Sequence, residues 1–213
     1  MKKTAAVIGA TGLVGHFLVD QLLADDRYEK VVVYARSKPN KEHSKLEWKV
    51  GDLLKDSTFG QGIEAQDVFC AIGTTRAKTS DLASYKNIDY GIPLRTAEMG
   101  LKGKMQCYLV VSSMGADATS GVFYTRTKGQ MENALQKMAI PKLHIFRPSF
   151  ILGPREEFRL GEAVGKFLIK ALRPIVPKKY RGVQASSIAS AMLKAANSLD
   201  APTIVESAEI DNF

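Results

Sequence analysis

The stretch Thr4-Ala5-Ala6-Val7-Ile8-Gly9-Ala10-Thr11-Gly12-Leu13-Val14-Gly15 decides how the rest of the chain is read. Residues 4–8 form an apolar run without alternation, which predicts a strand covered on both faces, as in a parallel sheet. Beyond it, over residues 13–23, Leu13, Val14, Phe17, Leu18 and Leu22 recur at the spacing of one helix face. Between strand and helix stand Gly9, Gly12 and Gly15. In a strand, turn and helix of this kind each has a physical task. Gly9 permits a tight exit from the strand, Gly12 lets backbone approach a pyrophosphate, and Gly15 lets the helix press against the sheet. The amides of the turn and first helical residues, Thr11 to Val14, would then face phosphate charge with the helix dipole behind them. The spacing is GxxGxxG rather than GxGxxG, so the strand before it and the helix after it are what make it a dinucleotide fingerprint.

Further along, residues 30–35 (KVVVYA), 46–50, 67–72 (DVFCAI), 107–112 (CYLVVS) and 142–146 read as strands. Residues 84–101 read as one helix, kinked or restarted at Pro93, and 123–138 as a long helix. Two more helices are expected over 160–172 and 186–199, then a short strand over 203–205. Alternating strands and helices predict an α/β architecture, a doubly wound parallel sheet of the Rossmann type with right-handed crossovers. The 213 residues, 45% apolar and 24% charged, suffice for one core. The expectation is a single domain over 1–213, with 154–213 forming a small helical cap on the substrate side.

Cofactor preference is read at the end of the second strand. An NAD site would place a carboxylate there for the adenosine ribose. The chain instead reads Tyr34-Ala35-Arg36-Ser37-Lys38, and Arg36 can meet a 2′-phosphate as a planar fork. NADP(H) is therefore expected over NAD(H). In Gly51-Asp52-Leu53, Asp52 either accepts from the adenine amino group, with Leu53 packed on the ring, or caps a helix. Ala71-Ile72-Gly73-Thr74 end the fourth strand at the carboxyl edge of the sheet, where open α/β folds bind ligands, although Gly73 also fits a plain turn.

Tyr124 and Lys128 stand four apart on the helix after the fifth strand, so their side chains share a face. An ammonium beside a phenol makes a usable acid or base near neutral pH. Ser113, just past the strand tip, can bond a substrate carbonyl beside them. Tyr34 and Lys38 repeat the spacing but straddle a strand end, where it brings nothing together.

Other classes are disfavoured. The net charge of +8 comes from scattered lysines, and the group Lys178, Lys179 and Arg181 has only Tyr180 as a stacking partner, so no nucleic acid is expected. No window approaches a membrane span and the first apolar run is too short for a signal peptide, so no membrane partner and a cytoplasmic location are expected. Cys70 and Cys107 read as buried thiols. His16, His43 and His144 lack metal-ligand spacing, so no metal site is expected.

Together the glycine motif, Gly51-Asp52-Leu53, the serine pair, Tyr124 with Lys128, and Arg147-Pro148 resemble the short-chain dehydrogenase/reductase superfamily along nearly the whole chain. The run Val111-Ser112-Ser113-Met114-Gly115-Ala116-Asp117 and the segment from Gly153-Pro154 through Arg155, Glu156, Glu157, Phe158 and Arg159 resemble its atypical branch around the Tat-interactive protein and bacterial relatives. The resemblance implies that Ser113, Tyr124 and Lys128 are catalytic, that Lys128 and Tyr124 also touch cofactor, and that residues 148–152, with Pro148, Phe150 and Ile151, line the nicotinamide. Arg155 and Arg159 either clamp an anionic substrate or pair with Glu156 and Glu157. The function expected is NADP(H)-dependent reduction of a small carbonyl compound by a monomer or homodimer. An epimerase or dehydratase with tightly held cofactor, and a cofactor-sensing regulatory protein, are the alternatives.

Overall fold

The structure, a computed structural model, describes residues 2–75, 78–153 and 181–213. Its first half follows the apolar runs: β1 (Lys3–Ile8), α1 (Leu13–Ala24), β2 (Tyr28–Ala35), β3 (Leu46–Val50) and β4 (Asp67–Cys70). Then come α2 (Leu82–Lys86), a π turn (Asn87–Gly91), α3 (Ile92–Lys102), β5 (Cys107–Val111), α4 (Phe123–Gln136) and β6 (Lys142–Arg147). After these stand β7 (Ile151–Leu152), β8 (Val183–Gln184), α5 (Ala185–Ala195), β9 (Ile204–Glu206) and α6 (Ser207–Ile210). The seven-stranded sheet has the order β3-β2-β1-β4-β5-β6-β9, and every pair in it is parallel. The chain starts in the middle, winds out to β3, and crosses back to β4. The carboxyl ends of β1 and β4 therefore flank the switch point where such sheets bind ligands.

Alternate residues of each central strand serve opposite layers, which is why the runs are apolar throughout. Ala5 and Val7 of β1 join Leu18, Leu22, Val31, Val33, Phe69, Leu109 and Phe146 on the α1 face. Ala6 and Ile8 join Val32, Tyr34, Val68, Val110, Met131, Leu135 and Ile145 on the face covered by α3 and α4. Cys70 and Cys107 are free and buried. Burial pushes both thiols up, Cys107 to about 12, so neither is a ready nucleophile.

The helix expected over 84–101 begins at Leu82, where Asp81 Oδ2 accepts the Ser84 amide at 2.7 Å, and passes through the π turn before Pro93. Proline has no N–H to offer the preceding turn and its ring crowds that turn, so a widened turn absorbs it without breaking the helix.

The region expected as a cap is different in the part described. Ile188, Ala189 and Met192 of α5 are buried in the α1-side core, and β9 extends the sheet by pairing Ile145 with Ile204 and Phe146 with Val205. Residues 183–213 thus complete the domain core. Small residues on α5, including Ala185, Ala189 and Ala195, are fully buried against the same layer and permit close packing. The helix expected over 160–172, the pair Lys178 and Lys179, and Arg155 and Arg159 lie outside the described residues.

Stability should fall in alkali. Burial raises Tyr34 from 10.0 to about 12, and burial followed by the Asp67 charge raises Cys107 from 9.0 to about 12. Below pH 9 folded and unfolded chains hold these protons equally, whereas between pH 9 and 12 only the folded chain keeps them, so its advantage shrinks. Urea midpoints at rising pH should decline through this window, and less steeply in Tyr34→Phe. An identical decline in that variant would exclude Tyr34 as a contributor.

Candidate active site

The glycine turn is shaped by contacts of backbone with backbone. Gly9 has φ +86°, and a Cβ on it would lie 2.7 Å from the carbonyl carbon and oxygen of Ala71, where the exit of β4 crosses the turn. Gly15 is tight for another reason: its Cβ would lie 2.1 Å from the Gly9 carbonyl oxygen. The Gly12 amide donates to that same oxygen at 2.9 Å. The absent side chain of Gly15 thus makes room for the turn itself, more than for the sheet expected from the sequence. Gly12 is the N-cap of α1 without a side-chain cap, and the first helical turn carries no acidic residue. Among the described residues no side chain caps its leading amides, which leaves them open to another acceptor, while Thr11 and Gly12 stand exposed and Leu13 half-buried. Uncapped amides beside a cradle that any Cβ would fill suit a pyrophosphate.

A closed circuit of contacts joins this turn to the other expected residues. Gly9 meets Ala71 and Ile72 of the β4 exit, and beyond them the Thr74 amide donates to Asp89 Oδ2 at 2.9 Å. Asp89 Oδ1 lies 3.0 Å from Lys128 Nζ. Lys128 Nζ donates in turn to the Val111 carbonyl at 3.4 Å, at the tip of β5. From the serine loop that follows, the Met114 amide donates to the Pro148 carbonyl at 2.9 Å. The segment after Pro148 returns to the turn: a Cβ on Gly153 would lie 2.9 Å from Leu13 Cδ1. Within that segment Ile151 is half-buried and Phe150 is 73% exposed.

The two serines diverge in use. Ser112 Oγ donates to Glu132 Oε1 at 2.5 Å, and Glu132 also receives Arg147 Nη2 at 2.6 Å. Arg147 Nη1 reaches Glu206 at 2.9 Å, so this network ties β5, α4, β6 and β9 together behind the cleft. Ser113 takes no part in it and, among the described residues, donates to its neighbour's carbonyl, Met114, at 3.2 Å. A Cβ on Gly129 of α4 would lie 2.2 Å from the Ala118 amide nitrogen, which shows how closely the loop after Ser113 lies on the helix of Tyr124 and Lys128. Tyr124 is 37% exposed in the first turn of α4, whereas the Lys128 side chain one turn on is 4% exposed. Burial works to strip Lys128 of its proton, but the Asp89 charge, followed by that of Tyr124, outweighs it, and the ammonium is held above its usual range.

Two expected residues keep other company. Leu53 is 4% exposed in the α3-side core, which leaves little of it to face an adenine. Asp52 neither caps a regular helix nor stands idle: its Oδ1 accepts the Leu54 amide at 3.0 Å and its carbonyl the Thr58 hydroxyl at 2.6 Å, shaping the turn after β3. Arg36 and Lys38 are exposed beyond the carboxyl end of β2, while Tyr34 is buried against Phe59. The spacing of Tyr34 and Lys38 thus joins nothing. Asp89 was missed in the sequence. Its signal was a lone carboxylate in the otherwise apolar and aromatic run Ile88-Asp89-Tyr90 just ahead of Pro93.

A doubly wound sheet with an uncapped glycine turn at its switch point defines a nucleotide-binding Rossmann protein. Residues 9–147 match the NAD(P)H-binding family, and the chain belongs to it. It is 30% identical over 174 residues to protein fmp52, mitochondrial, of Emericella nidulans, across 78% of this chain and 75% of that protein. To protein HTATIP2 of Rattus norvegicus it is 30% identical over 164 residues, across 75% and 67%. In fold it resembles the ADP-L-glycero-D-manno-heptose-6-epimerase of Helicobacter pylori, with TM-score 0.72 and 16% identity over 95% of this chain and 76% of that one. The chain is thus an NAD(P)H-binding protein with a Rossmann fold, as the resemblance implied. The expected cytoplasmic location is corrected, because the FMP52 relatives are named mitochondrial. Among the described residues no helix is long and apolar enough to cross a membrane.

Proposed function

We propose that the chain is an NADP(H)-dependent oxidoreductase that reduces a small carbonyl compound. The observation that carries this reading is the buried Lys128 ammonium one helical turn from the half-open Tyr124, at the rim of the cleft that the glycine turn begins. The turn amides would hold the pyrophosphate, Arg36 the 2′-phosphate, and the residues from Pro148 to Ile151 one side of the nicotinamide. A bound nicotinamide would supply the hydride. Tyr124 gives its phenolic proton to the carbonyl oxygen, and its exposure lets water restore that proton. Lys128 stabilises the phenoxide left behind, and Ser113 donates to the same oxygen as negative charge develops there. Asp52 and Leu53, by their geometry, serve the adenine less than the turn and core they build.

Titration with NADPH and NADH tests the cofactor half of the proposal, and absence of binding by either would end it. Arg36→Asp should weaken NADPH by about 10–100-fold, the worth of a charge-assisted hydrogen bond, with NADH little changed. Equal loss of both would remove Arg36 as the reader of the 2′-phosphate.

A further inference from the structure

Two opposite charges rarely lie so deep together: the Lys128 and Asp89 side chains are 4% and 1% exposed, with Nζ and Oδ1 3.0 Å apart. Taking both from water is costly, and apolar residues of similar volume commonly serve stability as well or better. The place of the pair points to a purpose other than stability. Gly73, exposed at the carboxyl end of β4, lies over it: a Cβ there would be 3.4 Å from Asp89 Oδ1 and 3.9 Å from Lys128 Nζ. At Gly73 the pair is therefore overlaid by backbone without a side chain. Asp89 is also carried by the π turn, an interruption of regular helix that recurs at functional sites.

We propose that Asp89 is a positioning residue of this cleft, whose carboxylate holds Lys128 as a cation in one orientation while its second oxygen holds the β4 loop through Thr74. An ammonium has three N–H donors. Asp89 Oδ1 holds the ammonium as an ion pair at 3.0 Å and the Val111 carbonyl accepts one N–H at 3.4 Å, which leaves donors for whatever enters the cleft. Only the identity of that ligand, a dinucleotide, rests on the oxidoreductase reading above. The titratable groups that face Lys128 are Asp89 from the π turn, Tyr124 from its own helix and Cys70 from β4. Asp89 alone among them is a carboxylate. Asp89→Asn keeps an amide oxygen for the Thr74 N–H and nearly the same volume, and replaces the charged oxygen that faces Lys128 by a neutral NH2.

The first measurement is the ¹³Cε resonance of Lys128 in the ligand-free protein, assigned by its loss in Lys128→Met. Lys128 should stay protonated through about pH 9 in the parent protein and lose its proton about 100-fold more readily in Asp89→Asn. The second is NADPH affinity between about pH 7 and 9: roughly constant in the parent, about tenfold weaker at the upper end in Asp89→Asn, and again without pH-dependent loss in Asp89→Asn/Lys128→Met. An unmoved lysine resonance, or an affinity loss equal at every pH, would overturn the proposal. Should Asp89→Asn fail to fold, Lys128→Met leaves the carboxylate stranded, and adding Asp89→Asn should raise its melting temperature; a further fall would overturn the proposal as well. Failure of any dinucleotide to bind would sink the oxidoreductase reading and leave the lysine titration to decide the role of Asp89.

Discussion

Tyr124→Phe is expected to lower kcat for carbonyl reduction by about 10²–10⁴-fold, the usual worth of a positioned general acid. Its NADPH affinity should stay within about twofold of the parent, because the lost hydroxyl serves the transition state and not the resting complex. The fold should be indifferent to the change. Tyr124 is 37% exposed, and its hydroxyl makes no hydrogen bond among the described residues, so the urea midpoint should shift by no more than a surface substitution allows, within about 0.5 kcal/mol. Steady-state kinetics over a panel of aldehydes and ketones, with a denaturation curve for each protein, separates the two effects. Undiminished turnover in the variant would remove Tyr124 as the acid and leave a cofactor-binding protein without the proposed chemistry.

Gly15→Ala should destabilise the domain by about 1–3 kcal/mol and abolish measurable dinucleotide binding. Local propensity argues the other way, since alanine inside a helix is favoured over glycine by about 1 kcal/mol. Packing decides the sign. The added methyl would stand 2.1 Å from the Gly9 carbonyl oxygen, 2.7 Å from its carbon and 2.8 Å from Ala10 Cα, all of them backbone. The turn cannot retreat, because Gly9 is itself pressed against the Ala71 carbonyl. Either α1 tilts off the sheet or the turn opens, and each movement disperses the amides meant for pyrophosphate. Gly121→Ala is the control, since a Cβ there meets nothing within 4 Å. A Gly15→Ala protein as stable as its parent, with unchanged NADPH affinity, would show that the turn is far looser than described.

Both predictions draw on features that differ in how far the chain displays them. The strand at Leu46–Val50 has the limits read from sequence, and β1, α1, β2, β5 and α4 lie within a few residues of theirs, because an apolar run or a helical stripe is a local property. The same stripe in Ala185–Ala195 misleads on placement. It announces that one face is buried and is silent about the partner, here the α1-side core in place of a cap. Ser113 is singled out in the sequence by its place past the strand tip, but that its neighbour Ser112 is held by Glu132 depends on a residue twenty positions further on, in α4. Asp89 stands out in the sequence only as a carboxylate in an apolar and aromatic run, and its partner is known once the π turn packs on α4 and brings Lys128 to it.

From the residues alone come the order of strands and helices, the glycine turn, the phenol and amine on one helical face, and the family they imply, since each depends on contacts within a few positions along the chain. Tertiary structure alone decided that α5 and β9 belong to the core, that Gly15 yields space to the turn, and that Lys128 lies buried against a carboxylate. Those outcomes are set by which distant surfaces exclude water together, and no local spacing encodes that choice.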